Sequence, residues 1–361
     1  MNLEELRKKI DAIDSEVVKL IADRIRTARE IGEVKHRQGR HVNDQSREAR
    51  VLEHIRDIAR EENVGEEVIA TIYQKIITEC RRTQETEVAF QGEAGAYGEE
   101  AAFQFFGPHT TARPCESLDE VFKLVAQDEM QYGIIPVENS LEGSIGQSYD
   151  LLLDSSLKVC GETELRVVHC LIANPGTRLD AVRRVYSHPQ ALGQCRTFLR
   201  QLGVELIPTS DTAGSVKYVK ETGITDGAAI ASRRAAEIYG LSVIAQEIED
   251  NPNNFTRFFI LAQEDGLPSA SDKTSIVFSV KDKPSALYNL LSEFAARGIN
   301  LTKIESRPTR HKPWEYNFYM DFDGHRADKL PHDVLTSLEE HALFVKILGS
   351  YPKAAGRNST R

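Results

Sequence analysis

One charged residue interrupts an otherwise regular apolar pattern near the start of the chain. Leu3, Leu6, Ile10, Ile13, Val17 and Leu20 recur at alternating three- and four-residue steps, and the next step falls on Arg24. A guanidinium placed where the pattern calls for hydrocarbon needs a partner, because burying an unpaired charge is costly. Lys35 lies eleven residues further on, only about 20° away around a helix. Arg7 is about 100° off that face, so it serves a pocket there only from a second, interlocked copy. Asp44, Arg47 and Glu48 cluster at the start of the next helical stretch, and Gln84 continues the face that Val68, Ile72, Ile76 and Cys80 set out. The plainer reading is a snorkelling Arg24 among solvated surface charges.

A second set of polar residues follows short apolar runs: Pro136-Val137-Glu138-Asn139-Ser140, Tyr186-Ser187-His188-Pro189-Gln190, Thr209-Ser210-Asp211-Thr212-Ala213 and Asn254-Phe255-Thr256-Arg257-Phe258. Ligand sites in α/β folds gather at the carboxyl ends of strands, although such residues also cap helices. His188 taken alone reads as a packing or turn residue. Gly92, Gly95 and Gly98 fit neither a dinucleotide fingerprint nor a P-loop, and Glu93, Glu99 and Glu100 beside them would repel phosphate. No Ser/His/Asp set with a supporting signature appears, and Gly-x-Ser-x-Gly is absent.

The elements that must position these groups come in three styles. Residues 1–86 lack proline and read as three helices. The first is a roughly 34-residue helix spanning about 50 Å, too long for a monomeric three-helix unit, so the apolar seam predicts pairing with a second copy. Residues 87–265 alternate strands (EVAFQG, YGIIPVE, LKVCGE, VVHCLIA, AAIAS, TRFFILA) with amphipathic helices. That pattern predicts α/β architecture with a largely parallel sheet and two similar lobes about a cleft. After a polar linker around Gln263–Lys273, residues 272–353 run strand, helix, strand, strand, helix, strand, the order of a ferredoxin-like α+β domain. Residues 354–361 are expected to form a disordered tail.

Composition bounds the partners. The chain has 361 residues, 40% hydrophobic and 28% charged, with a formal net charge of −10. That charge disfavours nucleic acid as the main partner and leaves the basic residues to act locally on small anions. No run of about 18 apolar residues spans a bilayer, and MNLEELRKKIDAIDSE lacks the apolar core of a secretion signal, so the cytoplasm is the expected location. For the same reason the Asn254-Phe255-Thr256 sequon is discounted. Five cysteines (Cys80, Cys115, Cys160, Cys170 and Cys195), widely spaced and without a C-x-x-C pair, argue for buried thiols rather than disulfides or zinc. No metal or cofactor is expected.

The helical segment resembles the all-helical class of chorismate mutases, through LRKKID, ADRIRTAREIGEVK, the NDQSRE turn and the ECRRTQ ending. The resemblance implies that Arg7 of the partner chain, Arg24 and Arg47 grip the two carboxylates of chorismate. It implies Lys35 and Gln84 at the ether oxygen, with Asp44 and Glu48 holding the hydroxyl and orienting their neighbours. Such a rearrangement needs no nucleophile or cofactor, only a folded dianion and donors where charge develops. Cys80 stands where serine is often found.

The middle segment is similar to the prephenate dehydratase family, through PVENSLEGSI, VVHCLIA, VYSHPQALGQC, AAIASRRAAEIYGL and NFTRFFILA. The family implies a two-lobed fold of the type II periplasmic-binding-protein kind. It implies Thr256 as proton or hydrogen-bond donor to the leaving hydroxyl and Arg257 as binder of a substrate carboxylate. Asn139, Ser187 and Gln190 would position the ring and its hydroxyl. Ala96 and Gly98 replace the usual hydroxyl residues of the first loop, a feature somewhat like dehydratases that act on arogenate. The last segment resembles an ACT domain, with Ser285-Ala286-Leu287-Tyr288 and Glu305-Ser306-Arg307-Pro308 at its two motifs. A phenylalanine site between subunits is implied, lined by Ser285, Ala286, Leu287, Asn300, Leu301, Glu305, Ser306 and Arg307.

Together these resemblances predict a bifunctional enzyme that takes chorismate through prephenate to phenylpyruvate. It is expected to be feedback-inhibited by L-phenylalanine and to be a homodimer or dimer of dimers. The rivals are a dehydratase of arogenate, a chain whose helical segment is only a dimerisation arm, and a ligand-responsive regulator. The last lacks a helix-turn-helix with a basic surface.

Overall fold

A computed structural model describes residues 2–37, 45–82, 86–108, 110–309 and 315–354. They divide into two compact units, Met1–Glu87 with Phe106–Thr111, and Val88–Phe105 with Ala112–Arg361. Of the expected disordered tail, all but Ala354 lies outside the described residues.

The first unit is built from α1 (Leu3–Arg37), α2 (Gln45–Glu61) and α3 (Glu66–Arg82). Asn2 and Glu5 cap α1 reciprocally: the Glu5 amide donates to Asn2 Oδ1 at 2.8 Å and the Asn2 amide to Glu5 Oε2 at 2.9 Å. α3 packs against α1 and α2, and Ala28, Ala59, Ala70, Ile77 and Cys80 are buried in this unit. The α1 seam is exposed among the described residues. Leu3, Leu6, Ile10, Ile13, Val17 and Leu20 are 41% to 66% exposed, an apolar stripe that water contacts unless another helix lies on it.

In the second unit, lobe one begins with β1 (Glu87–Gln91), α4 (Tyr97–Phe106), β2 (Thr111–Cys115), α5 (Leu118–Ala126), β3 (Tyr132–Asn139), β4 (Gly143–Ser144), α6 (Gly146–Asp154) and β5 (Lys158–Arg166). Lobe two follows with β6 (Cys170–Ala173), β7 (Arg184–Ser187), α7 (Pro189–Gln194), α8 (Arg196–Leu202), β8 (Glu205–Pro208), α9 (Thr212–Thr222), β9 (Gly227–Ala231), α10 (Arg233–Tyr239) and β10 (Ser242–Ala245). The chain then returns to lobe one as β11 (Phe255–Ala262). The sheets run β2-β1-β3-β11-β5, with β4 on β3, and β10-β6-β9-β7-β8.

Neither sheet is largely parallel, which corrects the expectation from sequence. β11 re-enters between β3 and β5 and runs antiparallel to both, and β6 is antiparallel to β9 and β10. The reason is topological: a chain that visits a second lobe and comes back must cross the hinge twice, in opposite directions. The two crossings touch where the Val167 amide donates to the Asn254 carbonyl at 2.8 Å.

The remaining elements are β12 (Asp272–Ser279), α11 (Ala286–Ala296), β13 (Leu301–Pro308), β14 (Tyr316–Asp323), α12 (Lys329–His341) and β15 (Phe344–Pro352), the predicted βαββαβ order. Their antiparallel sheet runs β13-β14-β12-β15. One face is covered by α11 and α12 through Leu290, Phe294, Val334, Leu335 and Leu338. From the other face, Val277, Tyr319, Leu348 and Tyr351 join the core of lobe one. β15 lies so close to β5 that a Cβ on Gly349 would fall 2.0 Å from the Val159 carbonyl oxygen.

Candidate active site

A cleft of about 850 Å³ opens between the lobes, lined from lobe one by the ends of β1, β2 and β3 and from lobe two by the ends of β7 and β8 and by α9. Parallel strands thus present their carboxyl ends to the cleft. Thr256 reaches it from the start of β11 because that strand runs the other way.

The glycine loop closes one end. Gly92 and Gly95 have φ of +113° and +89°, and a Cβ on Gly95 would fall 2.6 Å from Ala235 Cα. The glycines therefore serve a tight turn and a close approach of lobe one to α10, not a phosphate. Asp211 ties the loop down: one carboxylate oxygen caps α9 through the Ala213 amide at 2.7 Å, and the other accepts from the Glu93 amide at 2.9 Å. Glu93 in turn pairs with Lys217 on α9 at 3.2 Å.

Thr256 and Asn139 face each other in register across β11 and β3, both buried. Asn139 Oδ1 accepts from the Leu141 and Glu142 amides at 3.0 and 3.2 Å, so its amide nitrogen points the other way. That nitrogen donates to Thr256 Oγ1 at 3.0 Å and to Asn254 Oδ1 at 2.8 Å. With its oxygen already accepting, Thr256 retains its own proton for a group in the cleft.

The chain of bonds continues across the hinge. Asn254 donates to Gln194 Oε1 at 2.8 Å, His169 Nε2 lies 2.9 Å from the same oxygen, and His169 Nδ1 lies 2.9 Å from the hydroxyl of Tyr97, which lines the cleft. Burial, above the opposing bond to Gln194 and charge of Glu249, pushes the His169 pKa down, and burial pushes the Tyr97 phenol well up. Cys115 also lines the cleft, but burial raises its thiol to about 11, so it offers no thiolate near neutral pH.

The structure sorts the expected dehydratase residues. Thr256, Asn139 and Gln190 line the cleft. Ser187 does not: it is fully buried and its hydroxyl donates to the Ile230 carbonyl at 2.7 Å, bracing β7 on β9. His188 is a cap, its Nδ1 accepting from the Gln190 amide at 3.3 Å.

Arg257 is the main correction. Side chains alternate along a strand, so with Thr256 in the cleft Arg257 points to the opposite face of the sheet. There it meets Glu162 of β5 and, at 2.7 Å, Asp321 of β14, with the Tyr351 hydroxyl at 3.2 Å. Burial works against its charge, but Asp321, Tyr351 and Glu162 outweigh it and raise its pKa above the usual guanidinium value. Sequence reading missed Asn254, Gln194, His169 and Tyr97 as a connected set. Asn254, Gln194 and His169 stand inside the blocks NFTRFFILA, VYSHPQALGQC and VVHCLIA, but only the double hinge crossing brings them together.

In the helical unit, Arg24 Nη1 donates to Cys80 Sγ at 2.8 Å, so the interruption of the α1 seam faces α3. Arg7 and Arg47 are exposed. Lys35 and Glu48 fall within α1 and α2, and their side chains lie outside the described residues, as do Asp44 and Gln84 entirely.

In the last sheet, Ser285 heads α11 with φ of +67°, and Leu287 and Leu301 pack beside its core. Ala286 opens the helix. Asn300 donates to Asp323 at 3.2 Å. Glu305 and Arg307 turn toward lobe one, Glu305 to Ser144 and Arg307 to Asp150 at 3.2 Å, while Ser306 is exposed between them. The expected effector residues are thus not on one face of β13.

Three family models match in order: chorismate mutase type II over residues 6–85, prephenate dehydratase over 88–266 and ACT domain over 274–331. A bifunctional chorismate mutase/prephenate dehydratase of Aquifex aeolicus is 39% identical over 359 residues, covering 98% of both chains. An arogenate dehydratase/prephenate dehydratase 2 of Arabidopsis thaliana is 46% identical over 276 residues, 73% of this chain and 72% of that one. The prephenate dehydratase of Arthrobacter aurescens in complex with L-Phe superposes with a TM-score of 0.69 at 33% identity, covering 74% of this chain and 90% of that one.

Proposed function

Because the chain belongs to the bifunctional chorismate mutase/prephenate dehydratase family, we propose that its cleft eliminates water and carbon dioxide from prephenate at Thr256 and that its helical unit rearranges chorismate beside Arg24. The enzyme converts chorismate to prephenate and prephenate to phenylpyruvate. Prephenate is favoured over arogenate because the bifunctional relative matches along nearly the whole chain.

The observation that carries the dehydratase mechanism is the oriented pair Asn139–Thr256. Backbone amides fix the Asn139 side chain, its nitrogen donates to Thr256 Oγ1, and the Thr256 proton is left to the substrate's ring hydroxyl. As that C–O bond breaks, the Thr256 proton goes to the departing hydroxide and gives water, Thr256 regaining a proton from solvent, while the ring carboxylate leaves as carbon dioxide. The electron pair from the broken C–C bond completes the aromatic ring. Ile134, Pro136, Ile145 and Phe258 line the cleft beside this pair and withhold solvation from the leaving carboxylate. Gln190 would position the ring.

For the mutase, Arg24 and Arg47 with Arg7 of a partner chain would hold the two carboxylates. Lys35 and Gln84 would meet the ether oxygen, and Asp44 and Glu48 would hold the hydroxyl. The uncovered α1 seam supports a homodimer, since a second α1 would bury it and bring Arg7 to the other pocket. L-Phenylalanine would act as effector at the Ser285–Leu287 and Asn300–Leu301 ends of the ACT domain, with Glu305, Ser306 and Arg307 linking that site to lobe one or to a second copy. A cytoplasmic location suits such an enzyme, and no helix among the described residues is long and apolar enough to cross a membrane.

The test is an assay of the purified protein with chorismate, following prephenate and phenylpyruvate with and without phenylalanine. Phenylpyruvate formation that phenylalanine suppresses is expected. Arg24→Ala should abolish the first step and leave conversion of added prephenate intact. An unchanged first step would remove Arg24 from the site.

A further inference from the structure

With Arg257 turned away, the cleft needs another cation. Prephenate carries two carboxylates, and the cleft wall already holds Glu93, Glu116, Asp211 and Glu221. Among the described residues lining it, Lys217 is the one lysine or arginine. We propose that Lys217 binds the side-chain (pyruvyl) carboxylate of prephenate, exchanging its resting partner Glu93 for the substrate; this rests on the dehydratase reading of the cleft.

Three observations carry it. First, Lys217 sits on lobe two, on α9, whereas Thr256 and Asn139 sit on lobe one. In prephenate the hydroxyl is at one end of the ring, and both carboxylates are attached at the other, the pyruvyl one reaching further. A substrate with its hydroxyl at Thr256 therefore points its side chain toward the opposite wall.

Second, the chemistry selects which carboxylate. The ring carboxylate leaves as neutral carbon dioxide, so a cation on it would stabilise the ground state more than the transition state and slow the reaction. The pyruvyl carboxylate keeps its charge throughout, and a cation there provides binding without that penalty.

Third, the resting pair is easily exchanged. Lys217 and Glu93 are 3.2 Å apart with side chains 40% and 43% exposed, a half-solvated pair of small net strength. Glu93 belongs to the loop that Asp211 ties to α9, so Lys217 stands where the two lobes meet over the cleft.

The test uses the full-length enzyme with Lys217→Gln, Lys217→Arg and Glu93→Gln. Phenylpyruvate retains only the pyruvyl carboxylate, so its inhibition constant as product reports on that contact alone. Lys217→Gln should raise KM for prephenate by about 10- to 100-fold, the worth of a charged hydrogen bond, with kcat changed by less than about threefold. The phenylpyruvate inhibition constant should rise in parallel. Lys217→Arg should recover most of the affinity, and Glu93→Gln should lower KM by removing the competitor.

An unchanged KM, or a raised KM with an unchanged phenylpyruvate constant, overturns the assignment. A fall in kcat alone does so as well. Recovery in the arginine variant excludes misfolding of the lobe that carries Lys217. If the wild-type enzyme leaves prephenate untouched, it is the dehydratase reading that fails, not this anchor.

Discussion

Thr256 and Arg257 are consecutive residues of β11, yet their side chains leave opposite faces of one sheet. The Thr256 hydroxyl accepts from Asn139 at the cleft, and the Arg257 guanidinium lies 2.7 Å from Asp321 on the sheet behind. The same division holds on the paired strand, where Asn139 faces the cleft and its neighbour Glu138 meets Lys303 of β13 at 3.1 Å. The strands that carry Thr256 and Asn139 to the cleft are thus the strands to which the ACT domain is bolted.

Thr256→Val should lower dehydratase kcat by about 10²- to 10⁴-fold, the usual worth of a positioned proton donor, and leave the mutase reaction unchanged. Thr256→Ser should retain much of the activity. Asn139→Asp should also lose activity, because a carboxylate in that place accepts the Thr256 proton instead of leaving it to the substrate. Steady-state kinetics on prephenate decide both, and an active Asn139→Asp enzyme would refute the proton orientation.

Arg257→Met would leave Asp321, only 4% exposed, buried without its cation, and Glu162, 3% exposed, with Lys273 alone at 2.8 Å. Breaking a buried pair from one side costs about 3–5 kcal/mol. Urea unfolding should register that loss, and phenylalanine inhibition should weaken in the milder Asp321→Asn variant. Full stability of Arg257→Met would mean that water or a neighbour replaces the guanidinium.

His169 gives a pH dependence of defined sign. Burial holds its folded pKa below the usual 6.5, so below that pH the unfolded chain binds more protons than the folded one. This contribution is complete above about pH 6.5 and is lost as the pH falls from there toward the folded pKa. The urea midpoint should therefore drop more steeply between about pH 7 and 5.5 in the wild type than in His169→Gln. Identical slopes would show that His169 is not the group responsible.

Ser285 occupies a left-handed conformation at φ of +67° without a capping bond from its side chain. A non-glycine residue there costs about 1 kcal/mol or more. Ser285→Gly should raise the melting temperature and lower the phenylalanine concentration needed for half inhibition. A weaker response to phenylalanine would mean that the serine hydroxyl itself contacts the effector.

The sequence alone determined the three segments, the βαββαβ order of the last and several of the groups at the cleft, because periodicity and strand-end motifs are local properties. The α1 seam, the βαββαβ run and the Asn139 and Thr256 motifs were legible for that reason. It did not determine which way a motif's side chains face. Thr256-Arg257 reads as one motif, but strand alternation gives one residue to the cleft and the other to the interface behind it. Glu305-Ser306-Arg307 divides in the same way. The mixed sheets, the Tyr97–His169–Gln194–Asn254 chain and the place of Lys217 on the cleft wall were decided only by tertiary structure. Each depends on the chain crossing between lobes twice, which brings together residues up to 157 positions apart in sequence (Tyr97 and Asn254), and no local pattern encodes that pairing.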